Sequence, residues 1–242
     1  MKLHRFIIEG IELQTGHVRI HEAGFVDQIK NVLKLGLGEQ MIVGDGHGME
    51  ARIRLTQINK GAIEGEVLRV YQNENEPEIH AILYCSLLKR ENFEWVVQKA
   101  TEAGVFEIVP VIAERTVKLN LKKERLTKIM QEAAEQSERG RVPIIHEAVS
   151  LMEALRGAKS NTANLFFDKS GTVFNGKRDL GVGKIGIFIG PEGGWSEEEI
   201  HGAKESGCAV VRLSALTLRA ETAALLSVYL VSHFDSLFKA SR

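Results

Sequence analysis

Apolar and polar residues alternate along three early stretches, "HVRIH" (His17–His21), "EARIRLTQI" (Glu50–Ile58) and "GAIEGEVLRVY" (Gly61–Tyr71). A period of two sends one side of a strand into a core and the other into water. The turn clusters "GDGHG" (Gly44–Gly48) and "NKG" (Asn59–Gly61) punctuate these runs, and "FVDQIKNVLKL" (Phe25–Leu35) has room for one short helix. Short strands joined by glycine turns predict a small antiparallel β-barrel over residues 1–72, which closes its own edges. "NENEPE" (Asn73–Glu78), polar and holding a proline, reads as the linker that leaves it.

Over residues 73–242 the period changes. "IHAILYCSLL" is a buried strand. In "ENFEWVVQKATEAG" Phe93, Val96, Val97, Ala100 and Ala103 keep helical spacing, and Gly104 stands where a C-cap belongs. "EIVPVIA", "NLFFD", "IGIFI" and "AVVRL" read as further strands. "KERLTKIMQEAAEQSE", "SEEEIHGAKESG" and the long apolar "AETAALLSVYLVSHFDSLF" read as helices. Such alternation predicts an α/β domain with a mostly parallel sheet and helices on both faces.

Composition narrows this only a little. The 242 residues are 44% hydrophobic and 26% charged with a formal net charge of -1, so a nucleic-acid partner needs a local basic patch. Both cysteines, Cys85 and Cys208, sit in apolar runs and read as reduced core residues, and no metal site is expected. The opening "MKLHRFIIEG" lacks a long apolar region and no run spans a bilayer, so a cytoplasmic protein without membrane contact is expected.

Two glycine motifs then separate. "GVGKIG" (Gly181, Gly183, Gly186) fits a dinucleotide fingerprint but precedes its strand instead of opening a helix, which argues against a nicotinamide-type oxidoreductase. "IGPEGGWSEEEI" (Ile189–Ile200) is no phosphate cradle either: it lacks the required Lys, Ser196 and Glu199 form a capping box, and Glu197–Glu199 oppose an anion. Gly190, Gly193 and Gly194 leave backbone groups bare at a strand end, where ligands of parallel sheets sit. A tight turn around Pro191 and a loop for a flat, partly apolar ligand fit these residues equally. In "LSALTLRAETAALL" (Leu213–Leu226), Arg219 and Glu221 fit a surface pair as well as a shared cleft.

Together, "IGPEGGWSEEEI" and "LRAETAALL" resemble the RsmE family of 16S rRNA (uracil-N3)-methyltransferases in the SPOUT superfamily. "HRFII", "QIKNVLKLGLGEQMIVGDGHG", "LLKRENFEWVVQKATEAGVFEIVPVIAERTV" and "EAAEQSERGRVP" agree in order, over nearly the whole chain. Departures are Ser214 for a usual Gly, Leu216 for an Arg, Gln28 for a His and Lys34 for an Arg.

The resemblance implies a deep trefoil knot, an N-terminal PUA-like RNA-binding barrel, and a homodimer acting on 16S rRNA or the small ribosomal subunit. It implies S-adenosylmethionine (AdoMet) held by three loops: Phe167 and Asp168; Ile189, Gly190, Pro191, Glu192, Gly193 and Gly194; Leu213, Ser214, Leu218 and Arg219. Arg219 and Glu221 are the expected catalytic pair. Residues 114–141 hold eight Lys/Arg, Lys118 among them, against five Glu. From this stretch Arg115, Arg139 and Arg141, and elsewhere Arg5, Lys34, Lys89 and Arg90, are the expected RNA contacts. The alternative is a non-catalytic RNA-binding protein with the same fold.

Overall fold

The computed structural model describes residues 3–21, 23–59, 61–116, 121–180 and 183–238. Gly181 and Lys118 lie outside them. The chain divides into two compact units, Met1–Glu76 with Ala134–Val142, and Pro77–Ala133 with Pro143–Arg242.

In the first unit the alternating runs form β1 (Arg5–Ile7), β2 (Gly16–Ile20), β3 (Gln40–Gly44), β4 (Met49–Ile58) and β5 (Ile63–Gln72). They lie in the order β1-β3-β4-β5-β2 around a core including Met41, Val43, Ala51, Ile53, Leu55 and Ile63. Helix α1 (Ala23–Asp27) runs into a π-helical turn, Gln28–Val32, which buries Ile29. The expected all-antiparallel closed barrel is not what forms. β1 pairs parallel to β3, and among the described residues no ladder joins β1 back to β2. β1 and β2, consecutive in sequence, thus take the two ends of the path instead of pairing with each other.

"NENEPE" is not a free linker either. The buried Asn73 amide donates to Glu50 (2.9 Å) and to the Glu138 carbonyl (3.1 Å). Glu76 pairs with Arg139 (2.8 Å) and accepts the backbone N–H groups of Gly140 and Arg141, both at 3.0 Å. Removing one partner of a buried ion pair leaves the other charge desolvated, so Glu76→Ala is expected to lower stability by about 3 kcal/mol. A urea midpoint unchanged from wild type would contradict this.

The second unit follows the expected alternation. Its strands are β6 (His80–Ser86), β7 (Glu107–Ile112), β8 (Ile144–Ile145), β9 (Val149–Ser150), β10 (Ala163–Val173), β11 (Lys184–Ile189) and β12 (Ala209–Arg212). They form a sheet of order β12-β10-β11-β6-β7-β8, with β9 also on β7, and every pairing is parallel. The helices are α2 (Arg90–Glu102), α3 (Lys123–Gln136, whose last residues from Ala134 join the first unit), α4 (Leu151–Gly157), α5 (Gly176–Asp179), α6 (Glu197–Glu205), α7 (Ala220–Ser232) and α8 (Phe234–Phe238). Gly104 ends α2 at φ +94°, the left-handed conformation expected of its cap. Among the described residues no helix is long and apolar enough to cross a membrane.

One face of this sheet carries an aromatic layer. Tyr84 stacks on Phe188 at 4.3 Å between ring centres, and Phe166 meets Trp195 at 4.5 Å. Leu151 and Leu155 of α4 pack into the same cluster. Helix α7 packs on α2 and reaches β6 and β11.

Candidate active site at the strand-end rim

Parallel pairing puts the ends of β12, β10 and β11 side by side. Phe167 of β10 lies opposite Ile189 on one side and Val211 on the other. Adjacent strands are about 4.8 Å apart, so the loops leaving β11 and β12 start only one strand away from Phe167. Strand β10 then bulges: Thr172 also lies opposite Val211, and Asp168–Gly171 loop out between the two pairings. Asp168 holds this excursion by accepting the Ser170 N–H (2.8 Å) and hydroxyl (2.6 Å). A Cβ on Gly171 would lie 2.6 Å from the Val211 nitrogen, so only glycine lets the two backbones pass.

The second loop is rigidly built. The Gly194 N–H donates to the Pro191 carbonyl (2.8 Å), and Gly194 takes φ +71°. Trp195, buried beneath the loop, donates its indole N–H to the Phe167 carbonyl (3.2 Å), tying the loop to β10. Gly190 sits against that indole, where an added Cβ would fall 3.0 Å from Nε1. Glu192 accepts the backbone N–H of Lys89 (3.3 Å), at the start of α2. Ser196 and Glu199 form the expected capping box on α6. Trp195 was missed by sequence reading. Its signal was a large aromatic with one polar atom set between two glycines and an acidic helix start, the kind of side chain that is buried with its N–H partnered.

In the third loop Ser214 accepts the Leu216 N–H at 3.1 Å, closing a tight local turn. Leu213 and Leu218 are half-buried. Arg219 precedes α7 with its side chain 86% exposed, 4.0 Å from the Glu221 carboxylate. Glu221 is mostly buried, and among the described residues its Oε2 has no hydrogen-bond partner. The three loops therefore carry bare backbone, apolar side chains, the carboxylates of Asp168, Glu192 and Glu221, and the solvated guanidinium of Arg219.

Neither cysteine is a nucleophile. Burial, helped by Glu192, pushes the Cys85 thiol up to about 12, and burial pushes Cys208 up to about 11, so both are protonated at neutral pH. Among the described residues no group of His, Cys, Asp and Glu is arranged to hold a metal ion.

The expected RNA contacts divide. Lys34, Lys89 and Arg90 are exposed, Lys34 with the left-handed φ of +54°. Arg141 lies against Gly48, bridged to His47. Arg5 and Arg139 need correction: their side chains are 9% and 4% exposed, Arg5 on Glu50 at 2.8 Å and Arg139 on Glu76. A phosphate would have to strip both from interior carboxylates, so they hold the first unit together instead. Arg115 donates to the carbonyls of Gly193 (3.0 Å) and Trp195 (3.3 Å).

A parallel sheet whose strand ends carry a glycine-rich loop is the α/β architecture that takes ligands at that rim. Residues 74–232 match the family model of the RNA methyltransferase domain, and the chain belongs to that family. Within it, the chain is 29% identical to ribosomal RNA small subunit methyltransferase E of Bacillus subtilis, over 90% of each chain. It is 31% identical to the protein of the same name from Mesomycoplasma hyopneumoniae, over 71% of this chain and 77% of that one. The crystal structure of ribosomal RNA small subunit methyltransferase E from Neisseria gonorrhoeae, bound to S-adenosyl methionine, superposes with a TM-score of 0.85 at 29% identity, covering 98% of both chains.

Proposed function

We propose that this protein is an AdoMet-dependent methyltransferase that modifies N3 of a uridine in 16S rRNA. The observation that carries the reading is that β10, β11 and β12 end side by side at Phe167, so that three loops leave the sheet from adjacent positions, in a chain of this family. The rim fits the cofactor. Gly194, with open space where a side chain would stand, offers backbone to a flat, uncharged adenine, and Glu192 and the Oε2 of Glu221, without a hydrogen-bond partner among the described residues, suit a positively charged sulfur. AdoMet supplies an electrophilic methyl group.

The chain's own part is to align and to handle charge. Holding uracil N3 in line with the methyl carbon and sulfur provides most of the acceleration. The Arg219 guanidinium stabilises negative charge on a uracil carbonyl oxygen as the N3 proton passes to solvent water, and Glu221 orients Arg219. Lys34, Lys89, Arg90 and Arg141 contact RNA phosphates.

The finer architecture belongs to the same proposal: a SPOUT domain with a trefoil knot over residues 73–242, a PUA-like RNA-binding domain over residues 1–72, and a homodimer. One support for the knot is that α7 follows β12, at the edge of the sheet, yet packs on β6 and β11, so Leu213–Arg219 must return past the end of β10. Trp95 of α2 with Leu226 and Tyr229 of α7, all solvent-exposed apolar side chains, form the proposed dimer face.

Mass spectrometry of 16S rRNA from a strain lacking this gene is expected to miss one 3-methyluridine, restored by the wild-type gene. Intact 3-methyluridine, together with no AdoMet binding in calorimetry at micromolar concentrations, would leave a non-catalytic RNA-binding protein.

A further inference from the structure

The turn after β7 meets both the β11 loop and the first turn of α6. Thr116 accepts the Ala113 N–H through its hydroxyl (2.8 Å) and donates its own N–H to the Ala113 carbonyl (3.1 Å), so Ala113–Thr116 is a closed turn. At its tip the Glu114 N–H donates to Glu199 (2.8 Å), the carboxylate that also caps α6. Next to it, one guanidinium nitrogen of Arg115 donates to both the Gly193 and Trp195 carbonyls. The aliphatic stem of Arg115 lies over Gly193, where a Cβ would fall 3.3 Å from its own Cβ and 3.4 Å from its Cδ.

We propose that Arg115 is a positioning residue for the cofactor loop Gly190–Trp195, and not a contact to RNA phosphate. This rests on the reading that the loop holds AdoMet. The loop has few side chains to hold its shape, because the positions that would approach a ligand are glycine. Its backbone carbonyls need donors from elsewhere. Arg115 supplies charged donors to two of them, one on each side of Gly194, whose φ of +71° sets the bend. Trp195 fastens the same loop from below through Phe167, so the bend is held at two points. Gly193 is glycine partly because the Arg115 stem occupies the space of a side chain.

The two roles for Arg115 separate experimentally. The chain has two tryptophans, so in a Trp95→Phe background Trp195 alone emits and its spectrum reports the loop without any ligand. Arg115→Ala in that background is expected to shift Trp195 emission to the red. It is expected to raise both the AdoMet dissociation constant and the AdoMet KM by about 10-fold to 100-fold, the scale of losing charge-assisted hydrogen bonds. RNA affinity and its salt dependence stay at the wild-type values. Arg115→Lys keeps the charge but not the planar nitrogen whose two N–H bonds diverge to the two carbonyls, and is expected to recover little of the AdoMet affinity.

Unchanged emission and AdoMet affinity, with weaker RNA binding, a shallower salt slope and rescue by Lys, would overturn the proposal in favour of a phosphate contact. Full recovery of AdoMet affinity by Lys would overturn the role of the planar guanidinium nitrogen in holding both carbonyls. Wild-type protein that fails to bind AdoMet removes the cofactor reading and this inference with it. Wild-type binding with unchanged Arg115 variants removes only the inference.

Discussion

Gly190→Ala is expected to cut AdoMet affinity by at least about 10-fold and to lower stability by about 2 kcal/mol, an overpacking cost. The new methyl group would lie 3.0 Å from Cε2 and Nε1 of Trp195 and 3.2 Å from Cδ1. An indole cannot fold away as the tip of a lysine can. This one is wedged against Phe166 and bonded to the Phe167 carbonyl. Moving it breaks that bond, leaves a buried carbonyl without its donor, and loosens the join between the loops of β10 and β11. Thermal unfolding and calorimetry with AdoMet read the two losses separately. Wild-type values in both would show that the indole has room to yield.

Arg219→Ala is expected to behave in the opposite way. The side chain is solvated and loosely paired, so the fold loses little and AdoMet affinity stays within about twofold, as for exposed surface charge. Turnover is expected to fall by about 100-fold or more, the usual loss when a donor to developing negative charge is removed. Single-turnover methylation of small-subunit RNA at saturating AdoMet measures it. Undiminished turnover would remove Arg219 from the chemistry, and a matching loss of AdoMet affinity would make it a binding residue.

Much of the second unit is legible in the sequence because its signals are local. The helical spacing of Phe93–Ala103, the cap at Gly104 and the Ser196–Glu199 box each depend on neighbours within a few residues, and each appears where expected. Helix α4 had the same kind of signal in Ser150 and Glu153, which form a complete capping box, yet the short element was overlooked. What sequence could not reveal is long-range partnership. Arg5 and Glu50, or Arg139 and Glu76, are ordinary surface-type residues until a fold buries them together. Arg115 looks like any basic residue after a strand, since its partners lie near position 194. Barrel closure failed for a related reason: alternation predicts strands but not which edges meet.

The first unit is not a contiguous module. Ile7, Asn73 and Glu76 all bond to residues of the Ala134–Val142 segment. A gene fragment cut after residue 76 would encode the strands but omit the cation that neutralises Glu76. Carried alone as an N-terminal cassette the unit would lack these partners, and on the ribosome its completion waits for sequence made much later.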